Sequence, residues 1–325
     1  MLAYMIRRLL YAIPILIGVN LITFLLFFTV NTPDDMARAQ LGAKQVTPEM
    51  IASWKHDHGY DKPLFFNSEE AGLGKLENTL FFQQSLRLFQ FDFGRSDAGR
   101  DIASDIQQRM WPSLAIALPT LVLGLIVNIT LALLLVLFRY SRLDTTAMVI
   151  AVMIMSVSGL FYIIAGQVLF SKLWHWVPIS GYDTGWNGVK FLILPVIIGV
   201  FAGMGSGIRW YRSLFLEEVN KDYVRTAWAK GRSEVGVLFK HVFPNGLLPI
   251  LTGVVVVIPT LFMGSLIMES FFGIPGLGSY TIDAINAQDF AIVKAMVFLG
   301  SVLYIVGLIL TDLSYALFDP RVRLS

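Results

Sequence analysis

Residues 223–249 read YVRTAWAKGRSEVGVLFKHVFPNGLLP. Charge-free apolar runs flank this stretch, one ending near Ile208 and the other starting near Gly246. A polar insert between two runs of membrane length points to helices that cross a bilayer. The insert also carries a pattern of its own. Over 218–230, Val219, Tyr223, Val224, Ala227 and Trp228 recur at the spacing of one helix face. Lys230 falls in the last turn, where a cation complements the carbonyl end of the dipole. Gly231 suits the left-handed residue that ends many helices. Ser233 can cap a second helix, with Glu234 in its first turn. In that helix Val235, Leu238, Phe239 and Val242 share a face, and Pro244 is predicted to end it. Periodicity leaves two readings open: an amphipathic hairpin resting on lipid headgroups, or a docking element for a partner.

Composition agrees with the membrane reading. Of 325 residues, 55% are hydrophobic and 15% charged, with a mean hydropathy of +0.65, where a soluble domain carries about a quarter charged residues. The net charge of +2 gives no argument for nucleic acid. The chain has no cysteine, which excludes disulfides, thiolate chemistry and cysteine metal ligands.

Six runs lack a charged residue: 9–30, 113–138, 145–171, 191–208, 246–268 and 295–311. Each approaches or exceeds the roughly 17–25 residues of a membrane helix. The first follows Arg7 and Arg8 but exceeds the roughly 7–15 residues of a signal-peptide core, so it is read as a retained span. With the amino terminus inside, segments 1–8, 139–144, 209–245 and 312–325 hold thirteen lysines and arginines. The short opposite loops hold only Lys172, Lys190 and Lys294. This asymmetry predicts both termini, and the insert 209–245, on the cytoplasmic side. The expected organisation is a first span with its tail over 1–30, an extracytoplasmic segment over 31–112, a five-span core over 113–313 and a cytoplasmic tail over 314–325. Thr47-Pro48-Glu49 predicts a helix start within the extracytoplasmic segment. Trp111, Trp174, Trp176 and Trp186 lie near the outer ends of runs and read as interfacial anchors.

Several chemistries find no residues. No G-x-x-x-x-G-K-[ST] segment cradles a phosphate, so the chain is not expected to hydrolyse ATP. His56 and His58 stand near Asp57 and Asp61, but such spacing is also that of a solvated loop, and no metal and no cofactor is expected. Ser206 between two glycines has no histidine within any run to activate it as a nucleophile. The runs contain no ionisable residue, and Glu269, Lys294 and Asp312 stand only at their edges. That argues against an ion-coupled secondary transporter.

Ordered segments along nearly the whole chain resemble one family. They are MIRRLLYAIPILIGVNLITFLL at 5–26, GYDKPL at 59–64, FDFGRS at 91–96, VPISGY at 177–182, FFGIPGLGSYTIDAI at 271–285 with Asp289-Phe290 after it, and LTDLSYALFDPRVR at 310–323. Together with the insert they resemble the integral membrane permease of bacterial ABC importers, in the oligopeptide/dipeptide family and its first-permease branch. Arg225-Thr226-Ala227 stands where the founding coupling-loop pattern has Glu-Ala-Ala, and Gly231 stands at its glycine. Pro244 departs from the pattern, where an ordinary residue precedes the asparagine.

The resemblance implies an all-α membrane protein of the type I ABC importer permease fold with six transmembrane helices, placed multi-pass in the bacterial cytoplasmic (inner) membrane. It implies a non-enzymatic subunit that forms half of a path for peptides or peptide-like solutes. Nickel complexes, glutathione or sugars are the alternative cargoes. The implied partners are a second, related permease as a heterodimer, two cytoplasmic ABC ATPases, an extracytoplasmic solute-binding protein and the lipid bilayer. Tyr223, Arg225, Thr226, Ala227, Lys230, Gly231, Ser233 and Glu234 would form the ATPase-coupling loop. Gly273, Pro275, Gly276, Gly278 and Asp283 would stand at the outer gate, beside the binding protein. Asn128, Ser156, Gln167 and Ser265 are candidates for the path, with Thr130 and Ser158 near them, although each could equally be a helix–helix hydrogen bond.

Overall fold

The structure, a computed structural model, describes residues 2–30, 32–42, 46–57, 59–68, 70, 72 and 74–318. It is helical throughout, and among the described residues the only β-type pairing is an isolated bridge between Arg95 and Asp101. The helices are α1 (Leu2–Val30), α2 (Pro33–Leu41), α3 (Pro48–Asp57), α4 (Gly74–Glu77), α5 (Leu80–Phe89), α6 (Ile102–Leu137), α7 (Arg142–Ser156) and α8 (Gly159–Gly166). They continue as α9 (Val189–Val219), α10 (Asp222–Ala229), α11 (Glu234–Val237), α12 (Phe243–Val257), α13 (Leu266–Phe272), α14 (Leu277–Ala287) and α15 (Phe290–Phe318). Five helical segments are long and apolar enough to cross a membrane: Ile6–Phe28, Ile102–Leu137, Gly185–Val219, Glu234–Met263 and Phe290–Ser314. The pair α7–α8 makes a sixth if counted as one span. The chain is thus a multi-pass membrane protein.

The third run is where the structure departs most from expectation. Residues 145–171 read as one span, but α7 and α8 meet at 90°. Val157 and Ser158 take extended backbone with ψ 135° and 140°, and Gly159 opens the new helix. Two serines, a β-branched residue and a glycine in a row weaken helix propensity there. The fifth run also breaks. After α12 a tight 3-10 turn, Pro259–Met263, leads to Gly264 at φ 68°. The run's last residues therefore belong to α13.

Two compact units divide the chain. The first holds the described residues up to 107 together with 283–305. Its core is aromatic: Trp54 and Tyr60 stack at 5.6 Å, and Phe65 and Phe81 each meet Phe24 edge-on at 5.3 Å. Pro48 opens α3 as expected, and Thr47 Oγ1 accepts from the Met50 N–H at 3.4 Å. The Asp97 N–H donates to Asp289 at 2.9 Å, and Lys294 donates to Gln84 at 2.7 Å. Burial, with the Asp97 and Asp289 charges adding to it, pushes the Tyr60 phenol up to about 12. His56 lies 3.0 Å from Asp61, whose carboxyl that contact holds below its usual range. His58 lies outside the described residues.

The second unit holds 108–282 and the chain from 306. Here α9 packs along α7, and Arg212 grips the buried Asp144 with two parallel bonds of 2.7 and 2.6 Å. Such a fork fixes orientation as well as charge. Ser141 caps α7 by accepting from the Asp144 N–H at 3.3 Å. At one end of this unit, Ala132, Leu133 and Val136 of α6 join Phe215 and Val219 of α9 in a closed apolar core.

Candidate functional site

The insert is built on that core. α9 continues past the charge-free run to Val219, and only then does the chain turn. The first insert helix is therefore α10, shorter than the expected 218–230. Val224 and Ala227 are its buried residues, and they join the core of α6 and α9. The face read from the sequence thus points into the protein's own body. Tyr223 stays partly exposed and donates its hydroxyl to the buried Glu218 carboxylate, which also receives Lys221 at 2.5 Å. Burial first, then the Glu218 contact, holds the Tyr223 phenol above its usual range.

The turn between the insert helices has the expected glycine. Gly231 lies at φ 77°. Its N–H donates to the Trp228 carbonyl at 2.8 Å, and the Arg232 N–H reaches the Ala227 carbonyl at 3.4 Å. These are the two bonds of a Schellman ending. A Cβ at Gly231 would meet nothing within 4 Å, so only backbone conformation demands glycine here. Ser233 Oγ then accepts from the Gly236 N–H at 3.3 Å, which caps α11 as the sequence predicts.

Pro244 does not end the second insert helix. A π-turn over Leu238–Val242 precedes it, and Pro244 follows directly in α12, so the helix is widened just before the residue that lacks an N–H. The helical path therefore runs from the insert into the next span. The expected face is split: Leu238 and Val242 are buried, while Val235 and Phe239 are exposed. All eight insert residues singled out in the sequence lie on this one hairpin. Arg225 reaches Asp222 at 3.6 Å, Thr226 donates to the Asp222 carbonyl at 3.0 Å, and Lys230 is exposed at the end of α10. Glu234 pairs with Arg139 at 2.6 Å.

The glycine-rich segment wraps a residue the sequence reading left at the edge of a run. Glu269 is fully buried. Its Oε1 accepts from the Ser265 N–H at 3.1 Å and its Oε2 from the Ser279 N–H at 3.0 Å. The Ser113 hydroxyl and the Gly278 N–H also donate to it. Ser113 in turn accepts from the Leu277 N–H at 2.8 Å. Gly264 and Gly276 stand so close to the carboxylate that a Cβ on either would collide with it. Burial pushes the Glu269 carboxyl above its usual range, and the hydrogen bonds from Ser113 and the backbone pull against that.

Gly276 and Gly278 therefore gather around Glu269. Gly273 is the left-handed cap of α13, and Pro275 lies in the turn that follows. Asp283 stands exposed, further along α14. A signal for Glu269 does exist in the sequence. A lone carboxylate right after a charge-free run, with three glycines in the next ten residues, is an acceptor beside backbone with N–H groups to spare.

The four path candidates are not brought together. Asn128 is buried against Gly207, with its Oδ1 unpartnered. Ser156 donates to its own helix at Val152 O, 2.8 Å away. Gln167 bridges the carbonyls of Ile179 and Phe271, both at 3.0 Å. Ser265 lines a cavity of about 340 Å³ that it shares with Ser113, Thr120, Thr260, Met268 and Glu269.

Residues 128–324 match the family described as the inner membrane component of binding-protein-dependent transport systems, and residues 1–70 match the amino-terminal part of such components. The chain is 32% identical over 329 residues to a putative peptide transport system permease protein of Brucella abortus, covering 99% of each. It is 29% identical over 331 residues to an oligopeptide transport system permease protein of Bacillus subtilis, covering 99% of this chain and 100% of the relative. A di/tripeptide transport system permease protein of Pseudomonas aeruginosa is 31% identical over 352 residues, with 99% of each covered.

Proposed function

We propose, because this chain belongs to the family of inner membrane components of binding-protein-dependent transport systems, that it is one permease subunit of an ATP-driven importer of peptides. The peptide cargo is supported by relatives over their full length that are named for peptide, oligopeptide and di/tripeptide transport. The observation that carries the coupling role is the insert itself: a capped helical hairpin buried on one face in the ends of α6 and α9, with Arg225, Lys230, Val235 and Phe239 left outside. A hairpin so held moves with the spans and presents a fixed surface to one of the two ATPases. In this reading the chain sits in the bacterial inner membrane with both termini and the insert in the cytoplasm. It pairs with a second, related permease and receives cargo from an extracytoplasmic binding protein. The chain moves its cargo by a change between inward- and outward-facing states and alters no covalent bond.

The path follows the break between α7 and α8. Ser156, Val157, Ser158 and Gly159 are all exposed, and Ser158 caps α8 without a side-chain hydrogen bond. Irregular backbone in a spanning segment does not face hydrocarbon. This side therefore faces the second permease and the water-filled path between the two.

Orientation is the step that cysteine labelling tests. The natural chain has no cysteine, so Ser68→Cys, Thr184→Cys and Ser233→Cys each add a single thiol. An impermeant reagent applied to intact spheroplasts is expected to label the first two and to spare the third until the membrane is opened. Labelling of Ser233→Cys from outside would place the insert on the wrong side for any ATPase.

A further inference from the structure

Arg139 makes three contacts at the point where α6 ends. Its guanidinium donates to the Val136 carbonyl at 3.3 Å, which closes the last turn of α6. It pairs with Glu234 at 2.6 Å, at the first residue of α11. It also lies over the Trp228 ring of α10, 5.6 Å from the centroid. One side chain thus touches the end of a span and both helices of the insert. The space beneath, among Leu137, Val219, Trp228 and Val237, is about 10 Å³. That is at the lower limit for a single water, so the contact transmits displacement through packed atoms. The loop carrying Arg139 is itself pinned, because Asp144 at its far end is held by the Arg212 fork to α9. A planar fork with five donors can serve all three partners at once, which a lysine cannot.

We infer that Arg139 is a positioning residue that carries movement of the insert to α6, through Glu234 and Trp228. This rests on the reading that the insert meets the ATPases. Glu234 and Trp228 belong to the insert and Arg139 to the end of α6. The contact therefore joins the element that moves to the span that must respond.

The test uses the full complex, with both permeases, ATPases and binding protein, in proteoliposomes at matched subunit levels. With Arg139→Ala, ATPases are expected to co-purify as with the wild type, while peptide uptake falls about tenfold, within the usual range of coupling between sites. Arg139→Lys is expected to fall between the two. A merely structural role would instead lower membrane level or subunit association in step with uptake. Uptake by Arg139→Ala within about twofold of wild type, too small a change for coupling of this kind, would overturn the inference. So would a loss of uptake matched by an equal loss of membrane level or of ATPase co-purification. A wild-type chain that retains no ATPase would overturn the underlying reading, and this inference with it.

Discussion

Glu269→Gln is expected to unfold the turn that follows the fifth span. Each carboxylate oxygen takes a backbone N–H, Ser265 on one and Ser279 on the other. An amide has one oxygen and one NH₂, so either orientation sets donor against donor. Leaving such a buried donor unpaired, with repulsion added, costs about 3 kcal/mol. Space offers no relief, because Gly264 and Gly276 already touch the carboxylate. Glu269→Ala is expected to be worse, since it empties the cage altogether. The measurement is thermal stability of the purified complex in detergent, together with proteolysis at 273–278. A glutamine variant as stable and as resistant as wild type would mean that the glycine segment is held by something other than this carboxylate.

Gly231→Val is expected to abolish uptake while leaving the chain in the membrane. The position needs φ near 77°, and a β-branched residue there costs roughly 1–2 kcal/mol. Open space around Gly231 means that nothing else resists the substitution. The chain answers by giving up the two bonds to Trp228 and Ala227 and re-aiming α11 against α10. The spans are untouched, so membrane level and pairing with the second permease are expected to match wild type. Gly231→Asn is expected to retain most activity, because asparagine tolerates the left-handed region. Equal uptake by the valine variant and wild type would show that the angle of this turn does not matter to transport.

Much of this was legible because it rests on local rules. The spans follow from length and hydropathy. Gly231 and Ser233 follow from the conformations that a helix end and a helix start require. Pro48 follows from the N–H that the first turn does not need. What escaped the sequence depends on other parts of the chain. The break at Val157–Ser158 sits inside an apolar run in which no residue is a strong breaker by itself. Pro244 looked like a stop, because a π-turn upstream cannot be read from residue types. Val235 and Phe239 looked as if they shared a face with Leu238 and Val242, and only the packing on α6 and α9 tells the two pairs apart. Glu269 looked like an edge charge and Arg139 like one more basic residue of an inner loop, and their roles come from partners 156 and 95 residues away in sequence, Ser113 and Glu234. Asn128 and Gln167 show the converse. Polar residues in spans suggest a path, but here one packs on a glycine and the other ties the carbonyl of Ile179 to that of Phe271 in α13.

Uptake of a labelled tripeptide tests ATP-driven peptide import most directly. The complex is reconstituted into proteoliposomes that enclose ATP, with binding protein and tripeptide outside. Accumulation is expected to require both hydrolysable ATP and the binding protein, and to persist when proton and sodium gradients are collapsed. Accumulation that continues with a non-hydrolysable ATP analogue and stops when the proton gradient is collapsed would contradict ATP-driven import by this protein.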